Sequence, residues 1–186
     1  MALVLEDGTG LANSNAYADV AWADAFATDR NQDAWMRQSA TLKAKFLVQA
    51  SDYIDKNYRF LGARTYRTQA MEFPRRGVPI PSGYAAFYDE IVEGFYFPST
   101  VVPDQVKKAC CEYAFRAAEL NESNLDLQPD PAENFTGTII AKTEKVGSLE
   151  DSTKWSGATP PVMPQYPAAD RWLRDFKTSG NPIGRA

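Results

Sequence analysis

The chain contains no histidine, and its only cysteines are the adjacent pair Cys110 and Cys111. The first absence removes the commonest general base and the commonest metal ligand together. The second excludes a C-x-x-C metal or redox pair and any disulfide framework, which points to a reducing compartment. No apolar run approaches the ~18 residues of a membrane span. The opening Met1-Ala2-Leu3-Val4-Leu5-Glu6-Asp7 has neither the basic start nor the apolar stretch of a signal peptide. No internal repeat or low-complexity tract is present. Enzyme chemistry, metal sites and cofactors are therefore not expected, and neither is a membrane partner.

What remains is ordinary globular material. The 186 residues are 44% hydrophobic and 12% aromatic, enough for one domain with a real core. The net charge is −4, unevenly placed. Residues 1–55 are predominantly acidic. Residues 56–76 then carry Lys56, Arg59, Arg64, Arg67, Arg75 and Arg76 against Glu72 alone. That patch is where a polyanion could be met.

Periodicity predicts three core helices. The first runs from an Asp19 cap to Thr28, with Val20, Ala23, Phe26 and Ala27 on one face. Asp29 to Gln38 is a connection whose Trp35 packs back on the core. The second and strongest spans Ser39 to Tyr58, with Leu42, Phe46, Leu47, Ala50, Tyr53, Ile54 and Tyr58 at helical spacing, and should be the centre of the core. The third opens at Pro103, which suits a first helical position, and carries a small-sided stripe from Val106 to Leu120. The fold class is thus mainly α: a small helical bundle with core about 13–121 in a single domain 1–186. A long Pro/Gly/aromatic loop covers about 62–101. A C-terminal arm, 122–186, holds a short hairpin at Thr138–Glu150 and a short helix from Pro167 to Phe176. The loop is too apolar to stand alone, so it should cover something or become ordered against a partner.

Two smaller patterns invite chemistry. Asp7-Gly8-Thr9-Gly10 has the start of a phosphate-binding loop but lacks the Lys-Ser/Thr ending, which favours a simple turn. Asp52 and Asp55 lie three apart on a helix with no third ligand in reach, which favours a solvated face. The serious candidate is the basic segment, where arginines interleave with Tyr58, Phe60, Tyr66 and Phe73. Single-strand binders use that combination, and so do protein interfaces. The acidic remainder tilts this reading toward an interface.

Several segments together carry a resemblance: Asn15-Ala16-Tyr17; Asp19 to Phe26; Gln49-Ala50-Ser51-Asp52-Tyr53-Ile54-Asp55; Tyr58-Arg59-Phe60-Leu61-Gly62; Glu72-Phe73-Pro74-Arg75; Val102 to Ala109; Glu144-Lys145-Val146-Gly147; and Tyr166 to Asp170. In order and spacing, from about Asn13 to Phe176, they resemble the DnaT-like single-stranded-DNA-binding family of phages and prophages. Ala16 replaces a commoner serine, and the aromatic stretch Tyr84 to Phe97 is enlarged. The helical arrangement is also similar to that of phage head–tail connectors. That second likeness implies a structural virion protein: a dodecameric ring of identical subunits beneath the portal. Its partners would be the portal, a tail or further connector protein and, in passing, the packaged duplex. It would be made in the host bacterial cytoplasm and reside at the virion head–tail junction. An acidic ring through which DNA slides without being gripped fits the charge. The interface would then use Arg59, Arg64, Tyr66, Arg67, Phe73, Arg75, Arg76, Phe95, Tyr96, Phe97, Trp172 and Phe176. The alternative implied by the family label is a replication-type single-strand binder using segment 56–76.

Overall fold

The computed structural model describes residues 2–80, 96–122, 127, 139–145, 150–155 and 166–178. Its elements in chain order are α1 (Val20–Thr28), α2 (Asp33–Met36), α3 (Ala40–Asn57), β1 (Ala63–Arg64), β2 (Arg75–Arg76), α4 (Asp104–Glu122), β3 (Ile139–Lys145), β4 (Glu150–Trp155) and α5 (Pro167–Leu173). The protein is mainly helical with a small antiparallel hairpin, as the periodicity indicates. It divides into two compact units. The first comprises Met1–Leu127 and Tyr166–Ala186, and the second is Gln128–Gln165. The second contains the antiparallel pair β3–β4, which begins at Ile139↔Trp155 and closes at Lys145↔Glu150. Its return strand runs from Glu150 to Trp155, later than the Thr138–Glu150 hairpin that the sequence suggests.

Local chemistry explains the helix starts. Asp19 caps α1 by accepting from the Trp22 amide at 2.7 Å, and Ser39 caps α3 by accepting from the Leu42 amide at 3.3 Å. Pro167 occupies the first turn of α5, where its missing N–H costs nothing. The four-residue α2 is too short to leave a periodic signature. It serves to bury Trp35 completely, with its indole N–H donating to Asp24 Oδ1 at 2.7 Å. Lys43 reaches the same oxygen at 2.8 Å, so one carboxylate joins α1, α2 and α3.

The centre of the core is α4, not α3 as hydrophobic mass alone suggests. Besides the stripe Val106, Ala109, Cys110, Tyr113, Ala114 and Ala117, a second set buries Cys111, Phe115 and Ala118. These small residues admit neighbours on several sides. Thus α3 and α5 pack extensively on α4, while α1 and α2 close against it through Phe26, Trp35 and Phe115. Both thiols are buried. Burial pushes Cys110 up to about 11 and raises Cys111 as well.

A tyrosine cluster fastens α5. Tyr58 and Tyr113 hydroxyls stand 2.8 Å apart, and both donate to Asp170 Oδ1, Tyr113 from 2.8 Å. Lys177 adds a cation 3.4 Å from the same oxygen. Burial and then Asp170 raise Tyr58 above the ordinary tyrosine range, against the pull of the Tyr113 hydroxyl, while burial, Tyr58 and Asp170 together raise Tyr113. Tyr53, packed alongside, is pushed up to about 12. Removing the shared acceptor in Asp170→Ala strands buried hydroxyls. It should lower the unfolding free energy by about 2–3 kcal/mol, read from the urea midpoint. Asp170→Asn should cost less.

Candidate nucleic-acid interface

The loop expected over 62–101 should become ordered only against a partner. Its residues 62–80, like 56–61 before them, are instead built into the first unit. After α3 the chain bridges outward to the C-terminal residues: Phe60 pairs antiparallel with Lys177, and the Leu61 amide donates to Phe176 O at 2.8 Å. Gly62 then turns at φ +69, and a Cβ there would meet Arg76 O at 2.2 Å, so only glycine fits. The short pair β1–β2 follows in the register Ala63↔Arg76 and Arg64↔Arg75. Met71, Phe73, Pro74 and Val78 are buried, and the Phe73–Pro74 peptide is cis. Gln69 closes the bend, its amide donating to Met71 O (2.7 Å) and Pro74 O (3.1 Å) while Oε1 accepts from the Tyr66 amide (2.9 Å).

The two cross-strand arginines share one acid. Arg75, buried, donates to Leu61 O (2.8 Å), Phe60 O (3.2 Å), Gly62 O (2.9 Å) and Glu72 O (3.3 Å), and also to the Glu72 carboxylate. Arg64 binds the other oxygen of Glu72 through Nε at 3.1 Å and through Nη2. That bond raises the Arg64 guanidinium above its usual value. Two of the five arginines are therefore tied up internally.

Behind the segment lies a buried polar contact that the sequence concealed. Tyr17, fully buried, donates its hydroxyl to Asp55 Oδ1 and accepts from the amides of Glu72 (3.1 Å) and Phe73 (3.3 Å). The Glu72 amide also lies 3.1 Å from Asp55 Oδ2. Asp55 is thus no solvated partner of Asp52. Burial pushes its carboxyl up to about 7, against the opposing pull of the Tyr17 hydroxyl and the Glu72 amide. Asp52 instead pairs with Lys56 on the exposed side of α3 at 2.8 Å. The Asp7–Gly10 turn is another surprise. Its would-be anion-binding amides are already filled by the buried carboxylate of Glu6, which accepts from Gly8, Gly10, Leu11 and the Ser14 hydroxyl at 2.8–3.0 Å. The sequence favours a simple turn here; nothing in the glycine spacing identifies the Glu6 carboxylate that the turn wraps.

The residues named for an interface therefore separate. Phe73 and Phe176 are core, their rings 5.8 Å apart, and half-buried Phe97 packs on Phe176 at 4.9 Å. These three and Arg75 face inward. Trp172 is half-buried, with Lys108 4.9 Å above its ring. Phe95 and most of the stretch Tyr84–Phe97 lie outside the described residues. Arg59, Arg67 and Arg76 are exposed and have no ion-pair partner among the described residues. Among the described residues Tyr66 and Tyr96 are the exposed aromatics, 38% and 37% accessible.

An exposed arginine set beside an exposed aromatic, on a segment fixed from behind, can meet phosphate and base together. The family model described as "Putative DnaT-like ssDNA binding protein" matches residues 1–185. The chain belongs to this family. No curated protein and no solved structure matches it. The full-length match overturns the expectation of a head–tail connector. A portal-associated dodecameric ring, with portal and tail partners, rested on a likeness of helical arrangement that no comparison supports. The DnaT-like family points to the alternative. Among the described residues no helix is long and apolar enough to cross a membrane.

Two outcomes follow for this DnaT-like chain. Arg75→Ala removes the buried partner of four carbonyls and of the half-buried Glu72 carboxylate and should cost about 3–5 kcal/mol. Its exposed neighbour Arg76→Ala should stay within about 0.5 kcal/mol; paired urea titrations check both. For Asp55, a folded-state value above the unfolded one means the native state holds the extra proton. The stabilisation is then full below about pH 4 and is lost as pH rises toward 7. Asp55→Asn, which cannot titrate, should flatten that slope between pH 4 and 7 in denaturation curves.

Proposed function

We propose that this DnaT-like protein binds single-stranded DNA through segment 56–76, by contact rather than catalysis. The observation that carries the reading is the sorting of the arginines. Arg64 and Arg75 hold the platform through Glu72, leaving Arg59, Arg67 and Arg76 exposed on it with no ion-pair partner among the described residues. Cations already neutralised by a carboxylate offer a phosphate little, whereas uncompensated guanidinium groups release counterions from the strand. The acidic remainder of the chain repels a polyanion elsewhere, so the charge pattern restricts where a strand can lie. Family membership supports the same reading.

The test is oligonucleotide binding across a salt series. Three phosphate contacts predict a log–log slope of roughly −2, at about 0.7 per phosphate neutralised on a single strand. The combined variant Arg59→Glu, Arg67→Glu, Arg76→Glu should abolish binding while its circular dichroism and melting match the wild type. Wild-type protein that binds no single strand at low salt, or a triple variant that binds as well as wild type, overturns the proposal.

A further inference from the structure

We infer that Tyr66 is the surface on which a nucleobase of the bound strand stacks. The inference rests on the single-strand reading above and supplies what charge cannot. Phosphates occur in duplex and single strand alike, whereas only an unpaired base presents its face to an aromatic ring.

Four aromatic residues interleave with the arginines, and the fold separates them. Phe60 and Phe73 are buried with rings 4.9 Å apart, and Tyr58 turns inward to Tyr113 and Asp170. Tyr66 alone of the four is exposed, at 38%. The nearest arginines in sequence are Arg64, two residues before it and held by Glu72, and Arg67, directly after it, exposed and without an ion-pair partner among the described residues. A strand whose phosphate meets Arg67 would therefore have a base within reach of the Tyr66 ring.

The ring is also held in place. The Tyr66 amide donates to Gln69 Oε1 at 2.9 Å, and the preceding Thr65 hydroxyl donates to Ser99 O at 2.8 Å. On one side the ring lies directly against Gly10: a Cβ there would come within 2.2 Å of Tyr66 Cδ2. Gly10 belongs to the turn that wraps the Glu6 carboxylate, and Leu11 of that turn accepts from the Ala70 amide at 3.0 Å. Gly8 is fixed likewise, since a Cβ there would meet Thr100 O at 2.1 Å. The glycine turn therefore acts as a backstop. It holds no phosphate of its own and limits the freedom of an aromatic side chain that would otherwise have to be ordered on binding.

The experiment compares an unstructured oligothymidylate with an abasic strand of the same length and phosphate count, against wild type, Tyr66→Ala and Tyr66→Phe. Wild type should prefer the base-bearing strand by on the order of tenfold. Tyr66→Ala should bind both strands as weakly as wild type binds the abasic one, and Tyr66→Phe should keep the preference. Because the side chain is exposed, both variants should melt with the wild type. If wild type binds both strands equally, or Tyr66→Ala keeps the preference, stacking on Tyr66 is wrong while the single-strand reading stands. If wild type binds neither strand, the reading beneath it fails.

Discussion

A guanidinium has five N–H donors in a rigid planar fork, and every one of those on Arg75 finds an acceptor inside the protein. Three successive carbonyls, from Phe60, Leu61 and Gly62, take one hydrogen bond each, and Glu72 takes two through its own carbonyl and carboxylate. The chain leaving α3 is thereby tied to the chain returning through β2. Without that node the tight turn at Gly62, the β1–β2 register and the inward placement of Phe73 would each have to be maintained separately. Lysine could not replace it, because a single ammonium point cannot address so many carbonyls at fixed angles.

Glu72 gives this arrangement its economy. Its side chain takes Arg75 from inside and Arg64 from outside, while its amide meets Tyr17 and Asp55. One residue thus connects Arg64 and Arg75 to Tyr17 and to Asp55 of α3. The same segment supplies both the scaffold and the groups free to act, and the two sets alternate along the chain: Arg75 inward, Arg76 outward, as successive residues of a strand must.

The helices were largely legible because their signals are local. Asp19 and Ser39 announce two starts, Pro103 and Pro167 two others, and the apolar spacing of α3 and α4 is strong. The central place of α4 was not legible, since small residues such as Cys111 and Ala118 carry little hydrophobic weight yet determine who can approach. The basic segment stands out in the sequence, but its members look equivalent there. Burial and pairing are properties of the fold, and nothing in the spacing distinguishes Arg75 from Arg76. Asp55 likewise looked like half of a solvated pair until Tyr17, far away in sequence, was brought to it. The connector expectation failed for a different reason. A likeness of helical arrangement is a weak guide to function, because unrelated activities share architectures.

The residues just after α5 reach back to the root of the arginine segment: Phe176 O receives the Leu61 amide, Lys177 pairs with Phe60, and the Thr178 amide donates to Arg59 O at 3.0 Å. Between the two partners lies more than half of the chain. During synthesis, which delivers the N-terminal part first, the arginines emerge long before the strand that supports them. The bundle can begin to gather while the ribosome is still working, but the platform is completed only after Phe176, Lys177 and Thr178 have emerged. Order in the arginine segment is thus coupled to synthesis through Thr178, and a product interrupted before that point would carry the arginines without their frame.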